Sequence, residues 1–405
     1  MGVQIDWEFF REQLPSGFRE LAVERGLIHR LPPHLGAKVT EIEPVLRLEL
    51  HRAGLEESLA TTTAEAAVGQ VIDLSSVALH KWERKLAPYL AELSAQLWDA
   101  RVRFAAGSWS GYDVFAVDAS VVTRPGAQGT TARVHYVLRL STLTFVRSVV
   151  TDEHGGEMLS LHRDVAAPGQ LWIADRIYST PPGVAALVAT GAAVVVRYNR
   201  GALPLYDLEG KPFNVLKHVR SLRKPGAIGD WRVAVHPEQG PRIRGRLCAI
   251  RLPDDKVKEA RERLRDEQGP SVTAETLEAA AWLMVFTTVP RSRMRSGRVL
   301  ELYGVRWQVE LEVKRDKSIG HLDKLPNFRE DTIATWLAAK LLIQLVAKKI
   351  ASLAEAFSPS LAARTRHDGT GLRPAAQPAH RVPGVAGDDA HLHRHPRRAA
   401  LRSAA

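Results

Sequence analysis

Four residues in the stretch GRVLELYGVRWQVELEVKRDKS carry groups suited to handling phosphate. Tyr303, Arg306, Glu310 and Lys317 follow one another at spacings of three, four and seven. At about 100° per residue they share one helical arc of about 60°. Leu302, Val305, Val309 and Val313 form an adjoining apolar stripe. A helix packed by that stripe presents beside it a phenol, a guanidinium, a carboxylate and an ammonium. The carboxylate is a hard oxygen donor for Mg²⁺. Arginine grips phosphate with two donors, lysine adds a point charge, and the phenol donates one hydrogen bond. Together these groups serve phosphodiester chemistry. The same pattern also fits a solvated helix with pairs such as Glu310 and Lys314.

The elements that must position such a helix are legible upstream. From Tyr112 the chain reads YDVFAVDASVV, RVHYVLRLST and FVRSVVTD, rich in β-branched and aromatic residues and separated by turn residues. These predict an antiparallel meander. GGEMLSLHRDVA reads as a short helix, LWIAD as a brief strand, and AAVVVRYN as a buried strand. Between the last two, PGVAALVATG reads as a helix, with Pro181 or Pro182 in its first turn and Gly191 after its end. Three strands, helix, strand, helix, strand, with acids at strand ends, is the order of an RNase H-like α/β fold.

Before this core, SSVALHKWERKLAPYLAELSAQLW repeats Leu79, Trp82, Leu86, Leu90, Leu93 and Leu97 at helical spacing. Ser75 or Ser76 is the cap, and Lys81, Arg84 and Lys85 lie off the apolar face. After the core, WRVAVHP, RIRGRLCAIRL and AWLMVFTTV predict strands and DDKVKEARERLRDEQ a charged helix, a β-rich insertion with a basic surface. The expected organisation is a helical region over 1–108, a first core segment over 109–201 and the insertion over 202–290. A second core segment with C-terminal helices covers 291–357. A tail over 358–405, rich in Ala, Pro, Gly, Arg and His, should be disordered.

Lys and Arg outnumber Asp and Glu by 56 to 45, for a net charge of +11, which suits a polyanionic partner. Cys248 is the sole cysteine, so neither a disulfide within the chain nor a cysteine zinc site is available. The first residues have no uninterrupted apolar run, and the most apolar stretch is broken by Lys340, Gln344, Lys348 and Lys349. These features predict a cytoplasmic location and no membrane partner.

Tyr303-x2-Arg306-x3-Glu310-x6-Lys317 matches the Y-(2)-R-(3)-E-(6)-K signature of the DDE transposases of insertion-sequence family four. Asp118 in FAVDAS and Asp175 in WIADRIY resemble that family's two aspartates in order and context, as does the stretch RVHYVLRLSTLTFVRSVVTDEHGGE. The resemblance covers residues 70 to 350, leaving out the tail. It implies that Asp118, Asp175 and Glu310 are catalytic and hold Mg²⁺, with Mn²⁺ able to substitute. It implies phosphate contacts for Arg306, Lys317 and Tyr303, and double-stranded DNA (transposon ends and target) as partner, with the 1–108 region in contact with the ends. A homodimer on the ends and cut-and-paste chemistry through a hairpin are further implications. In hairpin-forming relatives a tryptophan in a W-x-x-x-x-T strand stacks on a flipped base. Trp282 in AWLMVFTTVP is similar, although a core tryptophan fits the same strand. Trp307 and Trp231 read as packing residues.

Rival acids are Asp113, five residues before Asp118 and so on the opposite strand face, and Asp152 and Asp164, which suit a cap or a solvated position. Two other functions fit the residues: an RNase H-like nuclease without strand transfer, and a decayed or domesticated DNA-binding protein without turnover.

Overall fold

Eight strands hydrogen-bond into one sheet in the order β3-β2-β1-β4-β5-β8-β7-β6. The computed structural model describes residues 7–28, 39–99 and 109–356, apart from 125, 127–128, 142–143, 153, 323 and 326–329. The expected tail therefore lies outside the described residues.

The meander forms as its apolar runs dictate. β1 (Asp113–Val122), β2 (Ala132–Arg139) and β3 (Thr144–Asp152) pair antiparallel in succession. The next connections are crossovers, so β4 (Gln170–Ala174) lies parallel to β1 and β5 (Ala193–Arg197) parallel to β4. Three antiparallel strands followed by two parallel ones is the RNase H-like arrangement. The strands of the 202–290 segment make no sheet of their own. β8 (Trp282–Thr287) adds antiparallel to β5, β7 (Ile243–Arg251) to β8, and β6 (Ile228–Val235) to β7. Pairing to β5 covers what would otherwise be an open edge of the core sheet.

Alternation then sorts side chains to two faces. Phe115, Val117, Trp172, Ala174, Val194 and Val196 point to one face, where they pack with Leu159, Val184 and Leu187. The last two come from α6 (Pro181–Val188), capped by Thr180, whose Oγ1 accepts from the Gly183 N–H at 3.3 Å. Gly191, at φ 85°, ends this segment, and a Cβ there would meet Pro168 Cγ at 2.8 Å. The segment GGEMLSLHRDVA supplies only one 3₁₀ turn, Leu159–His162.

The opposite face is covered by helices from both ends of the chain. Val114, Leu171, Ile173 and Val195 pack with Val299, Leu300 and Leu302 of α10 (Ser296–Gly304). Ala116, Val134, Tyr136 and Leu138 share a core with α11 (Trp307–Gly320), α12 (Glu330–Ala356) and the N-terminal helices. Those helices are α1 (Trp7–Glu12), α2 (Phe18–Glu24), α3 (Ile42–Leu55) and α5 (Ser76–Asp99), while α4 (Leu59–Val68) packs through Ala66 against Leu48 and Leu79. In α5 the leucine stripe Leu79, Leu86, Leu90, Leu93 and Leu97 is buried while Lys81, Arg84 and Lys85 are exposed. Ser75 Oγ accepts from the Ala78 N–H at 3.2 Å, as the cap pattern predicts. The remaining helices, α7 (Val215–Val219), α8 (Asp254–Gln268) and α9 (Ala274–Ala279), belong to the 202–290 segment. Among the described residues, no helix is long and apolar enough to cross a membrane.

One sequence expectation changes here. The Tyr303-to-Lys317 stretch is two helices. Between them the N–H groups of Val305, Arg306, Gln308 and Val309 bond three residues back instead of four. Gly304, with no side chain and a weak helical preference, stands at that junction. The tightened turn re-aims α11 relative to α10, so the four spaced residues do not share one straight helical face.

Asp113, on the odd-numbered face of β1, pairs with buried Arg139 of β2. Arg139 Nε donates to Asp113 Oδ1 at 2.9 Å, and its terminal nitrogen lies 2.9 Å from Oδ2. Removing one partner from a buried pair leaves an unbalanced charge. Asp113→Ala should therefore cost about 3–5 kcal/mol in denaturant unfolding. The double change Asp113→Leu with Arg139→Met should recover most of that loss. Equal stability of Asp113→Ala and the parent would show that the pair contributes nothing.

Candidate active site

The even-numbered residues of β1 point toward the helical layer, so Asp118 follows Val114 and Ala116 onto that face. β4 runs parallel beside β1 with Ala116 opposite Ile173. The same phase carries Asp175, the residue after β4, to the same face two positions beyond Ile173. Neighbouring strands lie about 4.8 Å apart, which sets the two aspartates side by side at one edge of the sheet. Arg197 ends β5 in the same phase, since Ile173 pairs with Val195. Two acids and a base thus converge because of parity alone.

The helices complete the cluster. α10 crosses the sheet face and carries Tyr303, whose hydroxyl donates to Asp175 Oδ1 at 3.2 Å. One tight turn later Arg306 donates to Glu310 Oε1 of α11 at 2.5 Å. Burial lowers the Arg306 pKa, but the Tyr303 phenol oxygen and then Asp175, Glu310 and Asp118, which it faces together, more than offset this and raise it. Tyr303 is buried, and burial followed by the charge of Asp175 raises its phenol. It therefore stays a hydrogen-bond donor at ordinary pH. Lys317 reaches the end of β1, where Nζ donates to Val121 O at 3.4 Å. Asp118, Asp175, Glu310, Tyr303 and Arg306 form one group, with Lys317 at its margin.

The two aspartates differ electrostatically. Burial pushes Asp118 up to about 7; Arg306 opposes this, and Glu310 and Asp175 reinforce it. Its Oδ1 accepts from the Ala119 N–H at 3.0 Å. Burial would raise Asp175 as well, but Arg306, Arg197 and the Tyr303 hydroxyl more than offset it and hold this carboxyl below its usual range. Three carboxylates around one guanidinium, one of them resisting ionisation, are hard-oxygen donors of the kind a divalent cation takes, although their oxygens do not all lie within 4.8 Å of one another in this structure.

Several neighbours escape the sequence reading. Glu157 is half-buried near Arg133, and burial, then the charge of Asp175, raises it against Arg133. Tyr178, fully buried, feels Glu157, Asp118 and Asp175. Arg197 ends an apolar strand run, and an arginine closing AVVVR was the available signal.

The rival acids have other partners. Asp152 Oδ1 accepts from the N–H groups of His154 and Gly155, a turn cap, and Asp164 pairs with Arg147 at 2.6 Å. Trp282 opens β8, two strands beyond β4 at the carboxylate end of the sheet, but its side chain points to the face opposite Asp118 and Asp175, the face of Trp172 and Phe286. It is half-buried against the core, with its indole N–H donating to Leu222 O at 3.2 Å and Arg251 5.9 Å from its ring centre. Trp231 packs partly against the same core, but Trp307 is 46% exposed at the head of α11 and does not serve packing as expected.

Known proteins are similar to this chain in sequence. A family model described as "Transposase DDE domain" matches residues 109–345. The transposase for insertion sequence element IS421 of Escherichia coli is 30% identical over 331 residues, spanning 80% of this chain and 88% of the relative. The putative transposase InsL for insertion sequence element IS186A of Escherichia coli strain K12 is 30% identical over 330 residues, with the same coverage. A cryo-EM structure of the piggyBac transposase synaptic complex with hairpin DNA covers 91% of this chain and 81% of its own. Its TM-score is 0.37 at 12% identity, a likeness too remote to bear on mechanism.

The raised Asp118 carboxyl links stability to pH in a defined direction. Its pKa is higher folded than unfolded, so its contribution is fully present below about pH 4 and is lost as pH rises through about 7. Asp118→Asn mimics the protonated form. With divalent ions chelated, the variant should match the parent below about pH 4 and exceed it by about 1–4 kcal/mol above pH 7. Parallel stability curves for the two proteins would contradict this.

Proposed function

The chain belongs to the DDE transposase family, and on that premise we propose that it cuts and rejoins the ends of a mobile DNA element through a hairpin intermediate. As a transposase it acts on DNA, and its domain is one that uses divalent metal. The observation that carries the finer reading is the convergence of Asp118, Asp175 and Glu310 on one sheet face around Arg306.

In this reading Asp118, Asp175 and Glu310 hold Mg²⁺, or Mn²⁺ in its place. When bound, the metal neutralises charge on the attacking and leaving oxygens of a phosphodiester. Before it binds, Arg306 balances the crowded carboxylates. Arg306 has a planar fork that matches two phosphate oxygens, so an incoming DNA strand can take it over from Glu310. Tyr303 keeps its proton and holds the Asp175 carboxylate through Oδ1, fixing that side chain's direction. Lys317 supplies a point charge at the end of β1, where the strand leaves. The buried apolar surface beneath the cluster keeps these interactions strong by limiting water.

In this reading the chemistry runs in successive steps. Water attack on one strand frees a 3′ hydroxyl. That hydroxyl attacks the opposite strand and closes a hairpin, and after reopening it attacks target DNA. Two copies of the chain would hold the two ends. In this reading Trp282, at the same end of the sheet but on its other face, is the platform for a base flipped out at the bend, since an aromatic face stacks on any base.

Purified chain incubated with its own flanking ends and Mg²⁺ should yield hairpin-ended DNA. Nicks without hairpins would favour a nuclease, and end binding without any cut a decayed protein. Asp118→Ala, Asp175→Ala and Glu310→Ala should each abolish cleavage while leaving end binding largely intact. Ca²⁺ should support binding without turnover, because its looser geometry aligns the reacting oxygens poorly. Full activity in any one variant, or in excess EDTA, would remove that acid or the metal from the proposal.

Trp282 has a separate test. Its replacement by Ala should lower hairpin yield far more than first-strand nicking, by about 1–3 kcal/mol at the flipped base. The Phe variant should be milder. Equal loss of both steps together with a lower melting temperature would make Trp282 a core residue.

A further inference from the structure

The segment after β8 reads PRSRMRSGR, and Arg291, Arg293, Arg295 and Arg298 are all exposed while Met294 and Ser296 between them are buried. This spacing is held from below. Arg246 of β7, only 6% exposed, spans the base of the segment: Nε donates to Val289 O and a terminal nitrogen to Met294 O, both at 2.9 Å. Its other terminal nitrogen donates to Asp230 Oδ2 at 2.8 Å, and that oxygen also accepts from Ser296 Oγ at 2.6 Å. Within the loop the N–H groups of Arg293 and Met294 both return to Pro290 O. A buried guanidinium therefore ties both ends of the loop to the sheet.

The exposed arginines are themselves braced by aromatic rings. The Arg298 guanidinium lies 3.9 Å from the centre of the Trp109 ring, and that of Arg293 lies 5.2 Å from Tyr112. The acids that pair with the set are Glu301, 2.9 Å from Arg298, and Asp230, 3.7 Å from Arg291 but already bonded to Arg246 and Ser296. Four guanidiniums against these acids leave the surface strongly positive.

This surface is not the carboxylate edge. Thr288 N bonds to Val194 O at the start of β5, so Pro290 lies where the parallel strands begin, whereas Asp118 and Asp175 lie toward their ends. α10 starts beside the loop and needs most of its length, about 10 Å from Ser296 at about 1.5 Å per residue, to bring Tyr303 to the carboxylates.

We propose that the Arg291–Arg298 loop is a second duplex-DNA site, gripping the phosphate backbone of DNA other than the segment at the carboxylates. Arginine suits this because its fork binds phosphate oxygens in pairs, and a loop pinned by Arg246 and stacked on Trp109 and Tyr112 gives up little freedom on binding. The contact reads backbone, not sequence, since nothing in the loop resembles an element inserted in a groove. The inference rests on the chain's acting on DNA but not on which residues cut it.

The test uses the full chain and a labelled duplex lacking any transposon end. Each phosphate contact contributes a slope of about 0.9 in log affinity against log salt. The triple variant Arg291→Gln, Arg293→Gln, Arg295→Gln should lower that slope by about 2–3. An unchanged slope would overturn the proposal. Cys248, the chain's sole cysteine, is buried, so Ser292→Cys offers a single accessible thiol in the native arginine setting. A photo-crosslinker on that thiol should capture the duplex, and its failure to do so would also overturn the proposal. The same capture should occur in a Glu310→Gln background. Loss of cleavage with capture retained then leaves this site standing, and capture lost with cleavage retained removes the site alone.

Discussion

Carboxylates on one sheet face repel one another, and the Arg306 guanidinium is what allows three to share that face in this chain. Asp118, Asp175 and Glu310 all act on it, and the burial that would expel an isolated charge makes the attraction strong. The arrangement is uneven, however. Asp175 has Arg306, Arg197 and the Tyr303 hydroxyl in its favour, while Asp118 resists ionisation. A cluster balanced by one movable side chain can exchange that chain for another cation or for a phosphate without refolding. The tight turn at Gly304 changes the chain's direction between Tyr303 and Glu310, so each approaches the acids from its own helix.

The helical layer serves this edge indirectly. α5 and α12 share a core with β2 and with α11, so residues from both ends of the chain fix the helix that carries Glu310. That layer also contains charge. Arg52 and Glu49 of α3 and Glu83 of α5 are buried together, with Arg52 4.8 Å from the ring centre of Trp336 in α12. Burial pushes Glu49 up to about 8, against Arg52. A buried ionic contact of this kind adds little net stability but penalises misplacement of any of the three helices.

Arginines divide into two physical classes. Arg139 and Arg246 are buried and spend their donors on Asp113, Asp230 and backbone carbonyls. Arg291, Arg293, Arg295 and Arg298 are exposed and depend on Arg246 for their placement. In RIRGRLCAIR the arginines alternate with apolar residues, and the pattern alone makes them equivalent basic groups on a strand. Arg246 is instead the anchor beneath a basic surface, because an inward arginine can bond several carbonyls at once.

The sequence by itself determined most of the elements and pointed to most of the candidate site. Apolar alternation fixed the meander and the brief parallel strands, Pro181 and Gly191 bounded α6, and the spacing from Tyr303 to Lys317 together with FAVDAS and WIADRIY named the residues that converge. These signals are local: period, caps and short motifs are written in neighbouring residues. Tertiary structure alone decided that β8, β7 and β6 continue the core sheet beyond β5, since strand partners depend on which edges remain open. It alone broke the helix at Gly304, exposed Trp307, buried Arg246 and brought Glu157, Tyr178 and Arg197 to the acids. In each case the outcome depends on which surface the residue meets, and residues far apart in the chain supply that surface.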